Sequence, residues 1–105
     1  MPAVSRVTDN CSGDGTWLPT LCADSSQDLL FVDSLSALVK GTAWPQQINS
    51  VPPPPVDHFG RESSAGSSLV YVEGVELCRV GDAISNYSNC VGSVIAGGSS
   101  VVFAD

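Results

Sequence analysis

Positive charge is scarce in this 105-residue chain. It has only 4 Lys and Arg residues against 11 Asp and Glu residues, and its formal net charge is -7. Binding to nucleic acid requires clustered basic side chains, and attraction to anionic lipid requires a basic surface. The composition therefore argues against both kinds of partner, and we expect most of the negative charge to lie on solvated surface.

Long apolar runs and a secretory signal are also missing. No apolar stretch approaches the roughly 18 residues that a membrane-spanning helix needs. The opening Met-Pro-Ala-Val-Ser-Arg lacks the basic start and apolar run of a signal peptide. These features predict synthesis in a cytoplasm, where thiols stay reduced, so we expect the 4 cysteines not to form disulfides.

A catalytic constellation is missing as well. His58 is the only histidine, and no Gly-x-Ser-x-Gly elbow accompanies the abundant serines. The acids Asp9 and Asp14 lie in turn-forming sequence, without an evident apolar environment to separate their pKa values. We therefore expect a structural protein rather than an enzyme, and a small metal-dependent enzyme is the alternative class.

The chain does contain a repeated motif. Residues 67–82 have the pattern of a short alternating strand, a Gly-containing turn, a second strand and a Gly-Asp corner. Parts of this motif recur at 99–105, at 25–33 with an insertion, at 5–9, and more weakly at 39–42. Aromatic residues mark three copies, spaced 40 and 32 residues apart: Phe31, Tyr71 and Phe103. Such a period indicates a repeated unit that cannot bury its apolar face alone.

The repeat predicts an all-β chain with few or no helices. Strands are predicted at 4–8, 28–32 and 35–40, and almost the whole chain after Gly66 has a β pattern. The length suffices for one core but not two, so we predict a single domain over residues 1–105.

The corners of the repeats are predicted at Asp9 and at Gly81-Asp82. Gly81 is expected to take a conformation that suits only glycine, and Asp82 to accept backbone amides of the loop that follows.

A proline-rich segment at 45–57 interrupts the repeat. The run from Pro52 to Pro55 has no amide hydrogens to donate and favours polyproline II. We interpret the segment as a stiff surface loop that costs little entropy to order. The alternative is a ligand for the aromatic groove of a partner, which would make the protein an interaction adaptor.

The corner Arg-Val-Gly-Asp at 79–82, then a loop with a cysteine, then Gly-Ser-Ser-x-Val-Phe at 98–103, resembles the PAAR-repeat proteins. The opening Met-Pro-Ala-Val-Ser-Arg-Val is similar to a PAAR start. The resemblance is best over 58–105 and 1–15 and weak over 20–57. Such proteins cap trimeric β-helical spikes in phage tails and type VI secretion systems. The resemblance implies a small conical fold of three β-hairpin repeats in a pseudo-threefold arrangement, with one cap per spike trimer and transient contact with a target cell envelope.

In PAAR-like proteins, the loops after the corners converge and supply His and Cys ligands to one structural metal ion. The resemblance implies Cys11, His58 and Cys90 as ligands here, with Asp14 or Cys22 as the fourth. Asp14 stands where the family often has His, so the fourth ligand stays open. Thiolate and imidazole donors fit zinc best, with iron as the alternative.

The remaining cysteines also receive predictions. Cys78 lies in strand register and is predicted to be a small buried core side chain. For Cys22, a core role and a ligand role are equally compatible with the sequence.

The resemblance leaves two settings for such a cap. The chain starts at the first repeat strand and ends after the last, which leaves no room for a fused extension. The loop Asn-Cys-Ser-Gly at 10–13 also resembles PAAR proteins of myophages. We therefore expect a virion tail tip, made in a bacterial cytoplasm, that binds neither nucleic acid nor a small-molecule substrate. The alternative is a tip secreted through a type VI apparatus.

Overall fold

The protein consists of very short strands. The structure is a computed structural model that describes residues 1–12, 18–45, 61–85 and 93–105. Within these ranges the chain forms eight strands and no helix. The strands are β1 (Phe31–Val32), β2 (Leu35–Ser36), β3 (Ala43–Trp44), β4 (Arg61–Ser63), β5 (Tyr71–Val72), β6 (Val75–Glu76), β7 (Ala83–Ser85) and β8 (Ser93–Val94). The predicted all-β fold is confirmed, but each of the strands predicted at 28–32 and 35–40 has only two residues in a strand ladder. In the second of them, Ala37 and Val39 form isolated bridges.

Two of the three repeats are complete β-hairpins. β1 pairs antiparallel with β2, and β5 pairs antiparallel with β6. Both hairpins turn through two residues of positive φ, Asp33–Ser34 in one and Glu73–Gly74 in the other. Two positive φ angles in succession are typical of a type I′ turn, whose twist matches that of the flanking strands.

The third hairpin is assembled from the two ends of the chain. Phe103 pairs antiparallel with Ala3, and the Ala104 amide donates to the Pro2 carbonyl at 3.0 Å. With this pairing, the first and last residues of the chain, Met1 and Asp105, occupy the positions of the two turn residues in the other hairpins. The third repeat is therefore circularly permuted: its first strand comes last in the chain and its second strand comes first.

The three repeats close into a ring around a pseudo-threefold axis. Isolated bridges join the repeats in cyclic order: Val4 with Arg79, Leu77 with Val39, and Ala37 with Arg6. At the centre, three equivalent residues bond head to tail through their backbones. Ser5 donates to Cys78, Cys78 to Leu38, and Leu38 to Ser5, at 2.9 to 3.2 Å. The expected pseudo-threefold arrangement of the repeats is present in the described residues.

Two apolar clusters lie on opposite faces of this ring. Ala37 and Leu38, which are consecutive, belong to different clusters, as successive residues of a strand do. The hairpin cluster contains Val4, Val32, Ala37, Leu77 and Ala104. The sheet cluster contains Cys11, Cys22, Leu38, Trp44, Cys78, Ile84 and Ile95.

A four-stranded antiparallel sheet, ordered β3-β4-β7-β8, contributes Trp44 and Ile84 to the sheet cluster. Beyond β8, Ile95 bridges to Cys11, and Asn10 bridges to Leu21. Each repeat corner is therefore followed by an outgoing strand and an antiparallel returning strand. The proline-rich segment predicted at 45–57 lies outside the described residues, except for its first residue.

Relative to the other two copies, the first copy has one additional residue, and it lies ahead of the repeat motif. Gln27 Oε1 accepts the amides two and three residues later at 2.8 Å. Ser67 Oγ and Ser99 Oγ accept the corresponding amides in the other repeats. Gln27 therefore takes the place of Ser67, and the additional residue falls earlier, between Cys22 and Gln27.

Candidate functional site

Two of the three corners are closed by an Arg-Asp pair. Asp82 Oδ2 accepts the Arg79 backbone amide at 2.7 Å, and the Arg79 guanidinium binds the same carboxylate through Nε and Nη2 at 3.1 and 3.0 Å. Asp9 binds Arg6 in the same way, at 2.7, 3.2 and 2.9 Å. The hydrogen bond to the carboxylate raises the pKa of both arginines. These charge-assisted, bidentate contacts are strong and fix each corner.

The direction of the Asp82 bonds differs from the prediction. The carboxylate binds the amide three residues before it, not the loop after it. The reason is Gly81, whose φ of 94° turns the chain back toward Arg79. The conformation predicted for Gly81 is thus confirmed, and Gly41 has the same conformation at the second corner, with φ of 89°.

The hairpin end of the molecule exposes three equivalent aromatic side chains. Phe31, Tyr71 and Phe103 are 55%, 52% and 46% exposed. Two positions before each aromatic stands an aliphatic residue that is more exposed still: Leu29, Leu69 and Val101. Exposed apolar side chains at equivalent positions of all three repeats mark a candidate interaction surface.

An apolar cavity of about 360 Å³ lies beside these side chains. Its lining includes one equivalent residue from each repeat, namely Leu30, Val70 and Val102. Val4 and Leu77, which are ring residues of the hairpin cluster, also line it. Because all three repeats contribute, the cavity lies around the pseudo-threefold axis. Of the six exposed side chains, Leu69 and Phe103 also line this cavity. We call the six side chains and the cavity, which belong to the hairpin end of the molecule, the threefold face.

In the sequence, Phe31, Tyr71 and Phe103 are recognisable as repeat markers, but the repeat alone does not assign them to a surface. Strand alternation was the available signal, because residues 29 and 31 must point away from residues 30 and 32. In the structure Val32 is buried in the hairpin cluster, and Phe31 is exposed.

Of the five predicted metal ligands, Cys11 and Cys22 lie in the described residues, and Asp14, His58 and Cys90 lie outside them. Cys11 and Cys22 are both buried in the sheet cluster. Within residues 1–12, 18–45, 61–85 and 93–105, no group of three or more His, Cys, Asp and Glu side chains could hold a metal ion. The structure therefore shows two candidate thiols on one cluster and leaves the complete ligand set a prediction.

The contacts of the buried thiols distinguish their roles. Cys11 Sγ accepts the Thr20 amide at 3.3 Å. Cys22 Sγ instead donates to the Asp24 carbonyl at 3.4 Å, and burial raises its pKa to about 11. These properties favour the core interpretation of Cys22. Cys78 is fully buried, and burial raises its pKa to about 12, which confirms the prediction that it is a core side chain.

Comparisons with known proteins complete the description of the chain. No model of a known protein family matches it, and no curated protein matches it. In the part of the chain that the structure describes, no helix is both long and apolar enough to cross a bilayer.

Proposed function

We propose that this protein is a PAAR-like spike tip, a conical β cap on the blunt end of a trimeric β-helical spike in a contractile injection machine. The observation that carries the proposal is the threefold face. One chain presents Phe31, Tyr71 and Phe103 at equivalent positions around one axis. Three identical chains of a spike would each meet the same contact, so one cap suits one trimer.

The character of the threefold face supports a permanent interface. Its apolar side chains are exposed in the isolated chain, and the cavity at its centre is lined almost entirely by apolar residues. Permanent interfaces resemble a domain core cut in half. Docking would bury this surface and also cover the free edges of the three hairpins, which removes an aggregation hazard from both partners.

We place this cap at the tip of a phage tail, made in a bacterial cytoplasm, where it meets the target cell envelope transiently. A type VI secretion spike is the alternative setting. The role is mechanical, and it involves no nucleic acid, no small-molecule substrate and no catalysis.

The proposal includes one structural metal ion, zinc or alternatively iron, bound by Cys11, His58 and Cys90. The sulfur of Cys11 accepts the Thr20 amide, a contact that a thiol and a thiolate can both make. The fourth ligand is Asp14 or Cys22, and the hydrogen bond that Cys22 Sγ already donates to the Asp24 carbonyl favours Asp14. A site closed by four protein ligands would supply stability and no chemistry.

Coexpression with a cognate trimeric β-helical spike protein tests the proposal. Native mass spectrometry should detect one cap per trimer. Single substitutions of Phe31, Tyr71 or Phe103 by Asp should each reduce capture by a similar factor, because the three sites are equivalent. Asp28→Asn is a matched control at an exposed position. Three caps per trimer, or unchanged capture by the aspartate variants, would refute the threefold docking.

A further inference from the structure

The pseudo-threefold sheet has three seams, where the returning strand of one repeat meets the outgoing strand of the next. Two seams are closed by a backbone hydrogen bond. The Ser64 amide donates to the Ala83 carbonyl at 3.0 Å, and the Ala96 amide donates to the Asn10 carbonyl at 2.6 Å.

The third seam is open. Its equivalent residues are Ala23 and Ala43, both described, and no backbone hydrogen bond joins them. The Ala43 carbonyl is instead contacted by Cys22 Sγ at 3.9 Å, which is a weak interaction. One of three equivalent strand edges therefore keeps a backbone acceptor without the amide that its counterparts have.

The cause is visible in the sequence of the linker. Residues 22–27 contain one residue more than the equivalent linkers 63–67 and 95–99. Each of the two shorter linkers also carries a glycine at a point where another part of the chain comes very close. A Cβ added at Gly66 would lie 2.8 Å from Glu76 Cβ, and one added at Gly98 would lie 2.5 Å from Val80 Cγ2. The third linker has the added residue and no glycine.

A groove of about 420 Å³ occupies the open seam. Its lining residues are Ala23, Asp24, Ser25, Ser26, Gly41, Ala43, Trp44 and Pro45. The two serine hydroxyls already have partners: Ser25 Oγ donates to the Ala37 carbonyl at 2.7 Å, and Ser26 Oγ lies 3.3 Å from Thr42 Oγ1. The acceptors of the groove include the exposed Asp24 carboxylate and the Ala43 carbonyl.

We propose that this groove is a docking site for an extended segment of a partner polypeptide that carries a lysine or arginine. A backbone amide of the segment donates to the Ala43 carbonyl, as the amides of Ser64 and Ala96 do for their acceptors at the closed seams. This is β-augmentation at a short edge. The basic side chain pairs with Asp24, and its aliphatic stem packs on Pro45.

Charge complementarity selects a basic occupant. The groove presents a carboxylate, and the whole chain has a net charge of -7, which attracts cationic segments and repels acidic ones. At the two closed seams, the linkers that supply the amide consist of small residues at 64–66 and 96–98. We therefore expect the docked segment to have small residues around its basic one. This site is separate from the threefold face, so it does not depend on the spike-tip proposal.

The test uses the full chain and a fluorescent hexapeptide, Ala-Ser-Ala-Lys-Ala-Ser, measured by anisotropy. We expect saturable binding that weakens at least about tenfold when the lysine is replaced by glutamate. Asp24→Asn should weaken binding about threefold to fivefold, the effect of one exposed charge pair. Asp28→Asn, an acid of the same segment outside the groove, should leave the affinity unchanged.

A second variant tests the seam itself. Deletion of Ser25 combined with Ser26→Gly gives the linker the length and the glycine of its counterparts, and should abolish peptide binding by closing the groove. If that variant does not fold, amide chemical-shift changes in the unmodified protein give the answer, because they should centre on residues 23–26 and 43–44. No saturable binding, equal binding of the glutamate peptide, or shift changes elsewhere would overturn the proposal.

Discussion

The Leu38 amide donates to the Ser5 carbonyl at 2.9 Å across the pseudo-threefold axis. Cys78 completes the set, so a leucine, a serine and a cysteine occupy equivalent positions at the centre of the ring. All three are 0% exposed. The backbone bonds are the same in each repeat, while the side chains differ, and the serine is the least suited to an apolar centre.

Ser5→Ala should therefore stabilise the protein. Ser5 Oγ is buried and has no hydrogen-bond partner, and a buried unsatisfied hydroxyl costs about 1–3 kcal/mol. We expect a gain of about 1 kcal/mol in the free energy of unfolding, measured by urea denaturation. Ser100→Ala, at an exposed position, is the control and should have no effect. A loss of stability in Ser5→Ala would show that the hydroxyl has a partner.

The corner at Thr8 offers a second stabilising change. Thr8 has φ of 79° at the position where the other corners have Gly41 and Gly81. A β-branched residue in this region is strained by about 1–3 kcal/mol, and Thr8 is exposed, so little packing is lost with its side chain. Glycine loses more conformational entropy on folding than threonine does, which offsets part of the relieved strain. Thr8→Gly should therefore raise the free energy of unfolding by about 1 kcal/mol.

The reciprocal change is the control for this prediction. Gly81→Thr should lower the free energy of unfolding by about 1–3 kcal/mol, because it introduces the same strain at the equivalent corner. Equal stability of both variants and the unmodified chain, measured by thermal denaturation, would rule out strain at Thr8.

Some of these features could be predicted from the sequence and others could not. The three repeats were recognisable because Phe31, Tyr71 and Phe103 recur with similar neighbours. The open seam could not be predicted. It results from a single added residue between Cys22 and Gln27, and the position of that residue becomes clear only when the three repeats are compared in the structure. The sequence pattern predicts longer strands than the structure contains. The reason is that the chain turns every few residues and forms isolated bridges instead of ladders.

Asp82→Ala should destabilise the corner by about 1–3 kcal/mol, because it leaves the Arg79 amide and guanidinium without their acceptor. The second corner offers an internal comparison, since Thr42 accepts the Val39 amide there at a longer 3.4 Å. Thr42→Ala should therefore cost less than Asp82→Ala in urea denaturation. The opposite order would mean that the Arg-Asp pair does not hold the corner.

The buried thiols predict a loss of stability at alkaline pH. Burial raises the pKa of Cys22 to about 11 and that of Cys78 to about 12, above the ordinary value of 9.0. The folded state therefore favours the protonated thiols. This contribution is fully present below pH 9 and is lost as the pH rises through 11 and 12.

Urea denaturation between pH 8 and 11 measures this effect, together with the alkylation rate of each thiol at pH 8. Cys22 and Cys78 should react slowly in the folded protein and rapidly in urea, because the nucleophile is the thiolate. Rapid alkylation of either thiol in the folded protein would contradict the assigned burial.

Metal content tests the ligand set that the PAAR resemblance implies. Three loops far apart in sequence carry Cys11, His58 and Cys90, and joining long loops at one ion stabilises a small domain most. Purified protein should contain about one zinc or iron per chain by elemental analysis. Cys90→Ser combined with His58→Ala should remove the metal and lower the melting temperature sharply.

Cys78→Ser is the matched control: its sulfur donates to the Ala65 carbonyl inside the core, so the metal content should not change. Equal stability with and without metal would exclude a structural ion, while the docking proposal, which rests on Phe31, Tyr71 and Phe103, would stand.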